Sequence, residues 1–185
     1  NPSGLFILKF REISFEVNVM LEDILRQIKA LLQNQLPNKL DQIEQERADG
    51  VALEDAQSFL IQTGGGSTPG RMDGSHKYPS VTLVGEAINA TNAISRRREL
   101  RHRISIWVTD RVVAPDSELA QVRLLRYMEA VERILAFDPS LGGKAMNSVV
   151  TSHWYTRKEG KEGEEFIKRA VLVIEVLERL STNNY

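Results

Sequence analysis

With 185 residues, 42% of them hydrophobic and 26% charged, the chain suits one globular domain with an arm or long loop to spare. Its 24 basic and 25 acidic side chains leave a net charge of −1, so no global field draws it to nucleic acid or a membrane. Having no cysteine removes disulfides, Fe–S clusters, thiolate zinc and a cysteine nucleophile, and no apolar run approaches the about 18 residues of a membrane span.

Residues 1–19 have two open readings. Met20 opens the first convincing helical pattern, so 1–19 could be an upstream extension. Alternatively they form a true N-terminal arm, because Ile13, Phe15, Val17 and Val19 alternate with Ser14, Glu16 and Asn18 as in a strand. From Met20 the spacing of Leu21, Ile24, Leu25, Ile28, Leu31, Leu32 and Leu36 predicts an amphipathic helix. Pro37 is expected to interrupt it, and Leu40 and Ile43 to carry a second stretch ending at Gly50. "SFLIQT" (58–63) reads as a short strand. Residues 64–79, with five glycines and two prolines, read as a flexible loop.

"SVTLVGE" (80–86) reads as a strand buried on both faces, and 87–98 as loop or edge strand. Over 99–113, Leu100, His102, Ile104, Ile106 and Val108 fall on one side, and Arg101, Arg103, Ser105 and Trp107 on the other. Pro115-Asp116-Ser117 starts a second helix running to about Phe137, with Leu119, Val122, Leu125, Met128, Val131 and Leu135 as its apolar positions. "FDPSLGGKAM" (137–146) follows. Two long strands, 147–158 and 164 to about Leu177, then form a terminal hairpin with a charged tip; the β-branched Val171, Val173, Ile174 and Val176 favour strand over helix. The predicted fold is α+β: an antiparallel sheet with two main helices on one face, in a single domain over 20–185.

Catalytic motifs find no positive support. Gly65 and Gly70 have the spacing of a phosphate-binding loop, but Arg71-Met72 stand where Lys-Ser/Thr must follow. Lys144 follows Gly143 without the upstream glycine. A left-handed Gly142 or Gly143 that ends the helix and turns into the strand explains "LGG" without any ligand. His76, His102 and His153 make no metal-binding pair, and no serine occupies a GxSxG elbow. No catalytic, cofactor or metal site is assigned, and the chain is read as a non-enzyme. "RRRELRHR" (96–103) packs five arginines into eight positions. It suits a protein-docking edge, a charge-protected strand edge or a phosphate grip, and the lack of stacking aromatics beside it counts against nucleic acid. Candidate interface residues are therefore Arg96, Arg97, Arg98, Arg101, Arg103, Trp107 and Trp154, the tryptophans being core residues or interface anchors.

An N-terminal amphipathic helix, "YPSVTLVGE", the alternating "HRISIWVTD", the helix "ELAQVRLLRYMEAVERIL", then "DPSLGG" and a long hairpin resemble the tail-terminator and tail-completion proteins of long-tailed bacteriophages, from Met20 to about Leu180. The resemblance lies in element order and in the helix–"LGG"–strand junction. It implies a homo-oligomeric ring, a hexamer in that family, which caps the tail tube, ends its polymerisation and meets the head connector. Partners would be the tail tube protein, the sheath protein of a contractile tail, and neck proteins, with DNA passing through the ring but not read by sequence. The protein would be made in the host cytoplasm and reside in the virion. A head–tail connector or a baseplate-side tail initiator is the nearest alternative, and a small nucleic-acid-binding module a more distant one. The chain departs from the family pattern in its glycine-rich 64–79 loop and in residues 1–19.

Overall fold

The computed structural model describes residues 3–63, 77–92, 97–113, 117–158 and 165–181. Most of the glycine-rich loop, residues 64–76, and the hairpin tip, residues 159–164, lie outside the described residues. Along the chain run helix α1 (Ser3–Arg47), strands β1 (Ser58–Thr63), β2 (Ser80–Asn92) and β3 (Arg97–Val113), helix α2 (Ser117–Phe137), and strands β4 (Asn147–Lys158) and β5 (Glu165–Ser181).

Helix α1 differs from expectation at both ends. It does not stop at Pro37 but runs through it, as one helix of 45 residues. The reason lies in the apolar stripe, which stays in register across the proline: Leu32, Leu36, Leu40 and Ile43 are all buried. Each such side chain gains roughly 2 kcal/mol on burial, and together they outweigh the about 3 kcal/mol that an interior proline costs. Upstream, 3–19 are helical, so the alternation at 13–19 is not a strand. Once the packed segment has nucleated the helix, each added residue needs only propagation. Strand propensity, a matter of packing on a pleated surface, has nothing to act on without a partner strand. The helix ends at Arg47, with Ala48 (φ 48°) in the left-handed region where glycine is usual and Gly50 (φ 77°) two residues on.

The sheet has five strands in the order β1-β2-β3-β5-β4. The β2–β3, β3–β5 and β5–β4 pairs are antiparallel, but β1 lies parallel to β2, Ser58 beside Ser80 through Thr63 beside Gly85. The sheet is thus mixed, not wholly antiparallel, within the expected α+β class. Both helices pack on one face: Ile24, Leu25, Ile28 and Leu32 of α1 and Leu124, Tyr127, Val131 and Ile134 of α2 share a core with Leu83, Ile104, Ile106, Leu172 and Ile174. Gly85 lets α1 approach β2, because an added Cβ would lie 2.8 Å from Leu25 Cδ1.

The predicted α2 stripe holds at Met128, Val131 and Leu135 but not at Leu119 and Leu125. Ala120, Leu124, Tyr127, Met128, Val131, Ile134 and Leu135 are buried, whereas Leu119 and Leu125 are exposed. Tyr127, buried and donating to the Glu54 carbonyl, turns the helix so that its own row, not the row of Leu125, meets the sheet. Strand faces follow the predicted alternation in β3. Ile104, Ile106 and Val108 join the helix-side core, and Trp107 joins Val84, Val171 and Val173 on the opposite face.

Candidate assembly surfaces and a polar cleft

The junction at 138–146 is a closed structural turn. Three successive residues are left-handed: Leu141 (φ 51°), Gly142 (φ 67°) and Gly143 (φ 82°). Asp138 fixes the loop, accepting from Gly142 N at 2.7 Å and from Ser140 Oγ at 2.7 Å. Those bonds, the Ser140 hydroxyl first, hold the Asp138 carboxyl below the usual carboxylate range. Gly143 N donates to Ser140 O at 3.0 Å, and Met146 N to Leu177 O at 2.8 Å, which docks the turn onto β5. The backbone amides that would cradle a phosphate are bonded within the loop. Leu141 accepts its unfavourable φ because its side chain is fully buried.

The arginine-rich segment lies at one end of the sheet. Arg96 lies outside the described residues, Arg97 and Arg98 occupy the start of β3, and exposed Arg101 and half-buried Arg103 sit on the face away from the helices. Register sets carboxylates among them. Arg103 stands opposite Glu86 on β2 and Glu175 on β5, and Glu99 stands opposite Arg179. At Arg103 the run of positive charge therefore meets negative charge from both neighbouring strands. His102, on the other face, is buried, with Nε2 3.3 Å from Glu178 Oε2.

The two tryptophans meet, apart from the arginines. Trp107 is 4% exposed, and Trp154 on β4 stands edge-on to it, with ring centroids 6.3 Å apart and planes at 90°. Trp154 itself is 36% exposed, in line with Val149 (52%) on the same face and Tyr155 (39%) on the other. Glu132 of α2 acts on Tyr155, so this flank of α2 faces β4; burial first, then the Glu132 charge, pushes the Tyr155 phenol up. Leu125, two helical turns earlier, shares that flank and is exposed. Exposed apolar side chains thus stand on both faces along β4, an edge strand of the sheet.

A cleft of 640 Å³, not foreseen in the sequence, opens between the α1–β1 connection and α2, lined by Glu54, Gln57, Lys77, Tyr78, Asp110 and Arg123 among others. Asp110 is buried at the end of the β3 apolar run. Its Oδ1 accepts from Arg111 N at 2.8 Å, while Arg123 reaches Oδ2 through Nε at 3.1 Å and its terminal nitrogen at 2.9 Å. Burial raises the Asp110 pKa, against the lowering effect of Arg123. With both oxygens engaged, the carboxylate ties α2 to β3. Arg126 likewise holds Asp49 and the Val51 carbonyl, and Arg133 grips Glu46 at 2.9 and 2.7 Å, joining the two helices. The signal for this cleft was an acid closing an apolar strand; its partner, thirteen residues on, became visible only in three dimensions. Among the described residues no cluster of His, Asp and Glu could hold a metal ion. No protein-family model matches the chain, and no match is found among curated proteins.

Proposed function

We propose that the protein is a structural subunit that assembles into a ring, caps the tail tube of a long-tailed bacteriophage, stops tube growth and offers a surface to the head connector. The sequence resemblance supplies the tail assignment. The observation that carries the self-assembly part is the β4 edge: a strand of twelve residues that pairs only with β5 among the described residues, with Val149, Trp154 and Tyr155 exposed along it. Edges of this kind template pairing with another chain. A head–tail connector or tail initiator would use the same edge, and differs in which end of the tube it decorates.

The carboxylates set opposite Arg103 favour protein docking over phosphate binding at the arginine segment, because cross-strand Glu86 and Glu175 offset part of its field. Light scattering over a concentration series and negative-stain imaging test the assignment, followed by addition to polymerising tube subunits. Rings and shortened tubes are expected; a monomer under every condition that leaves tube length unchanged overturns the proposal. Changing Arg96, Arg97 and Arg98 to Glu should keep the fold and abolish attachment. Intact attachment by that variant, with loss of salt-sensitive DNA binding shown by the parent, would instead favour the nucleic-acid module.

A further inference from the structure

We infer that the ring contact is a head-to-tail strand pair, in which β4 of one copy adds antiparallel to β1 of the next. The inference rests on the self-assembly reading and specifies its interface. Strands β1 and β4 are the two ends of the sheet order, and they run in opposite directions. A second copy set beside the first without being turned over therefore presents an antiparallel partner.

The side chains choose the register. On the face away from the helices lie Ser58, Leu60 and Gln62 of β1, beside Ser80, Thr82 and Val84, and Ser152, Trp154 and Thr156 of β4, beside Val173, Val171 and Arg169. Directly opposed residues share a face, so a shift by one residue would oppose residues of opposite faces. Of the registers that keep the faces, one sets half-buried Leu60 opposite exposed Trp154 and Phe59 opposite Tyr155, apolar against apolar on both sides. A slide of two residues instead sets Trp154 against Gln62 or Ser58. In the apolar register Thr63, the last residue of β1, reaches Thr151, the extra residue of the β4 bulge, so the pair spans residues 151–156 of β4.

Charge agrees with this direction. Exposed Glu54 and Asp55 precede β1 and come to the Arg157–Lys158 end of β4. A symmetric β4–β4 pair lacks that match, because β4 carries no carboxylate. A heterologous edge contact of this kind closes into a ring when its rotation closes, as the proposed function requires.

The absence of native cysteine makes the test free of background. Gln62 and Ser152 face each other in this register, and opposed antiparallel residues lie within disulfide reach. The double variant Gln62→Cys/Ser152→Cys, folded under reducing conditions as judged by circular dichroism, should on oxidation give a ladder of covalent multimers. The two single variants mixed should give only dimers, and each alone should give none. Dimers from Ser152→Cys alone would mean β4–β4 pairing and overturn the inference. Wild-type assembly seen by light scattering without the double-variant ladder would overturn this pairing but leave the ring reading standing. A chain that is monomeric throughout would overturn both. As a second arm, Trp154→Arg and Leu60→Arg should each weaken assembly at least tenfold with the fold intact; unchanged assembly in both refutes the edge contact.

Discussion

Substituting alanine at Gly142 and at Gly143 should separate backbone strain from crowding in the turn that launches β4. Both glycines are left-handed, so each alanine incurs roughly 1–2 kcal/mol for that conformation. At Gly143 nothing lies within 4 Å of the new Cβ, and the loss should stop there. At Gly142 the Cβ would fall 2.5 Å from Gln27 Nε2 and 3.3 Å from its Cδ. Gln27 must leave its rotamer, a further cost on the order of 0.5–1.5 kcal/mol. Gly142→Ala should thus lose about 2–3 kcal/mol in urea unfolding followed by circular dichroism, at a concentration below assembly. Gln27→Ala should restore about 1 kcal/mol in the Gly142→Ala background and nothing in the Gly143→Ala background. Equal losses at the two glycines, or no coupling with Gln27, would refute the claimed close approach of α1 to the turn.

Ala48→Gly should stabilise the fold by about 1 kcal/mol, because it relieves the left-handed φ at the end of α1; a shift in urea midpoint reports it. Arg123→Ala leaves the Asp110 carboxylate buried without its cation, and should cost about 3–5 kcal/mol near neutral pH. Since burial already raises the Asp110 pKa, the deficit should shrink as the medium is acidified and the carboxyl protonates. Asp49, Glu46 and Asp138 behave oppositely: Arg126, Arg133 and the Ser140 hydroxyl hold their folded pKa values below the unfolded ones. The stability they contribute is present above the unfolded value of about 4 and is lost as pH falls through the folded values, so thermal midpoints should drop from about pH 4 downward.

What the sequence disclosed follows from how local each cause is. The faces of β3 and the "LGG" turn were legible, since alternation and left-handed glycine act within a few residues. The terminal hairpin was legible from its β-branched runs. The continuity of α1 through Pro37 was not, because it depends on Leu36, Leu40 and Ile43 sharing one core with α2 and the sheet. Nor was the parallel placing of β1, which is set by the chain path after α1 rather than by "SFLIQT" itself. The α2 stripe was legible at Met128, Val131 and Leu135 but not in its first half, because Leu119 and Leu125 look equivalent to Leu124 until Tyr127 finds the Glu54 carbonyl. The arginine segment shows the same limit: its density is visible in sequence, but Glu86, Glu175 and Arg179 join it only through strand register.

That register yields a final prediction, about salt. Were the arginine segment the main source of assembly strength, raising ionic strength would weaken association steeply, because exposed charges more than a Debye length apart are screened. The distribution of surface on this molecule argues otherwise. Exposed apolar side chains follow β4, while Arg101 and Arg103 share β3 with Glu99, and Arg103 stands opposite Glu86 of β2 and Glu175 of β5. Exposed pairs of that sort contribute roughly 0–1 kcal/mol each and serve orientation more than strength. Burying Trp154 and Tyr155 against a partner strand, by contrast, draws on apolar area that salt does not screen. Association measured by sedimentation between 50 and 500 mM NaCl (roughly threefold in Debye length) should therefore change by only a few fold, while the rate of assembly slows more. A loss of a hundredfold or more across that range would place the binding energy in the charges and refute an apolar edge as the principal contact.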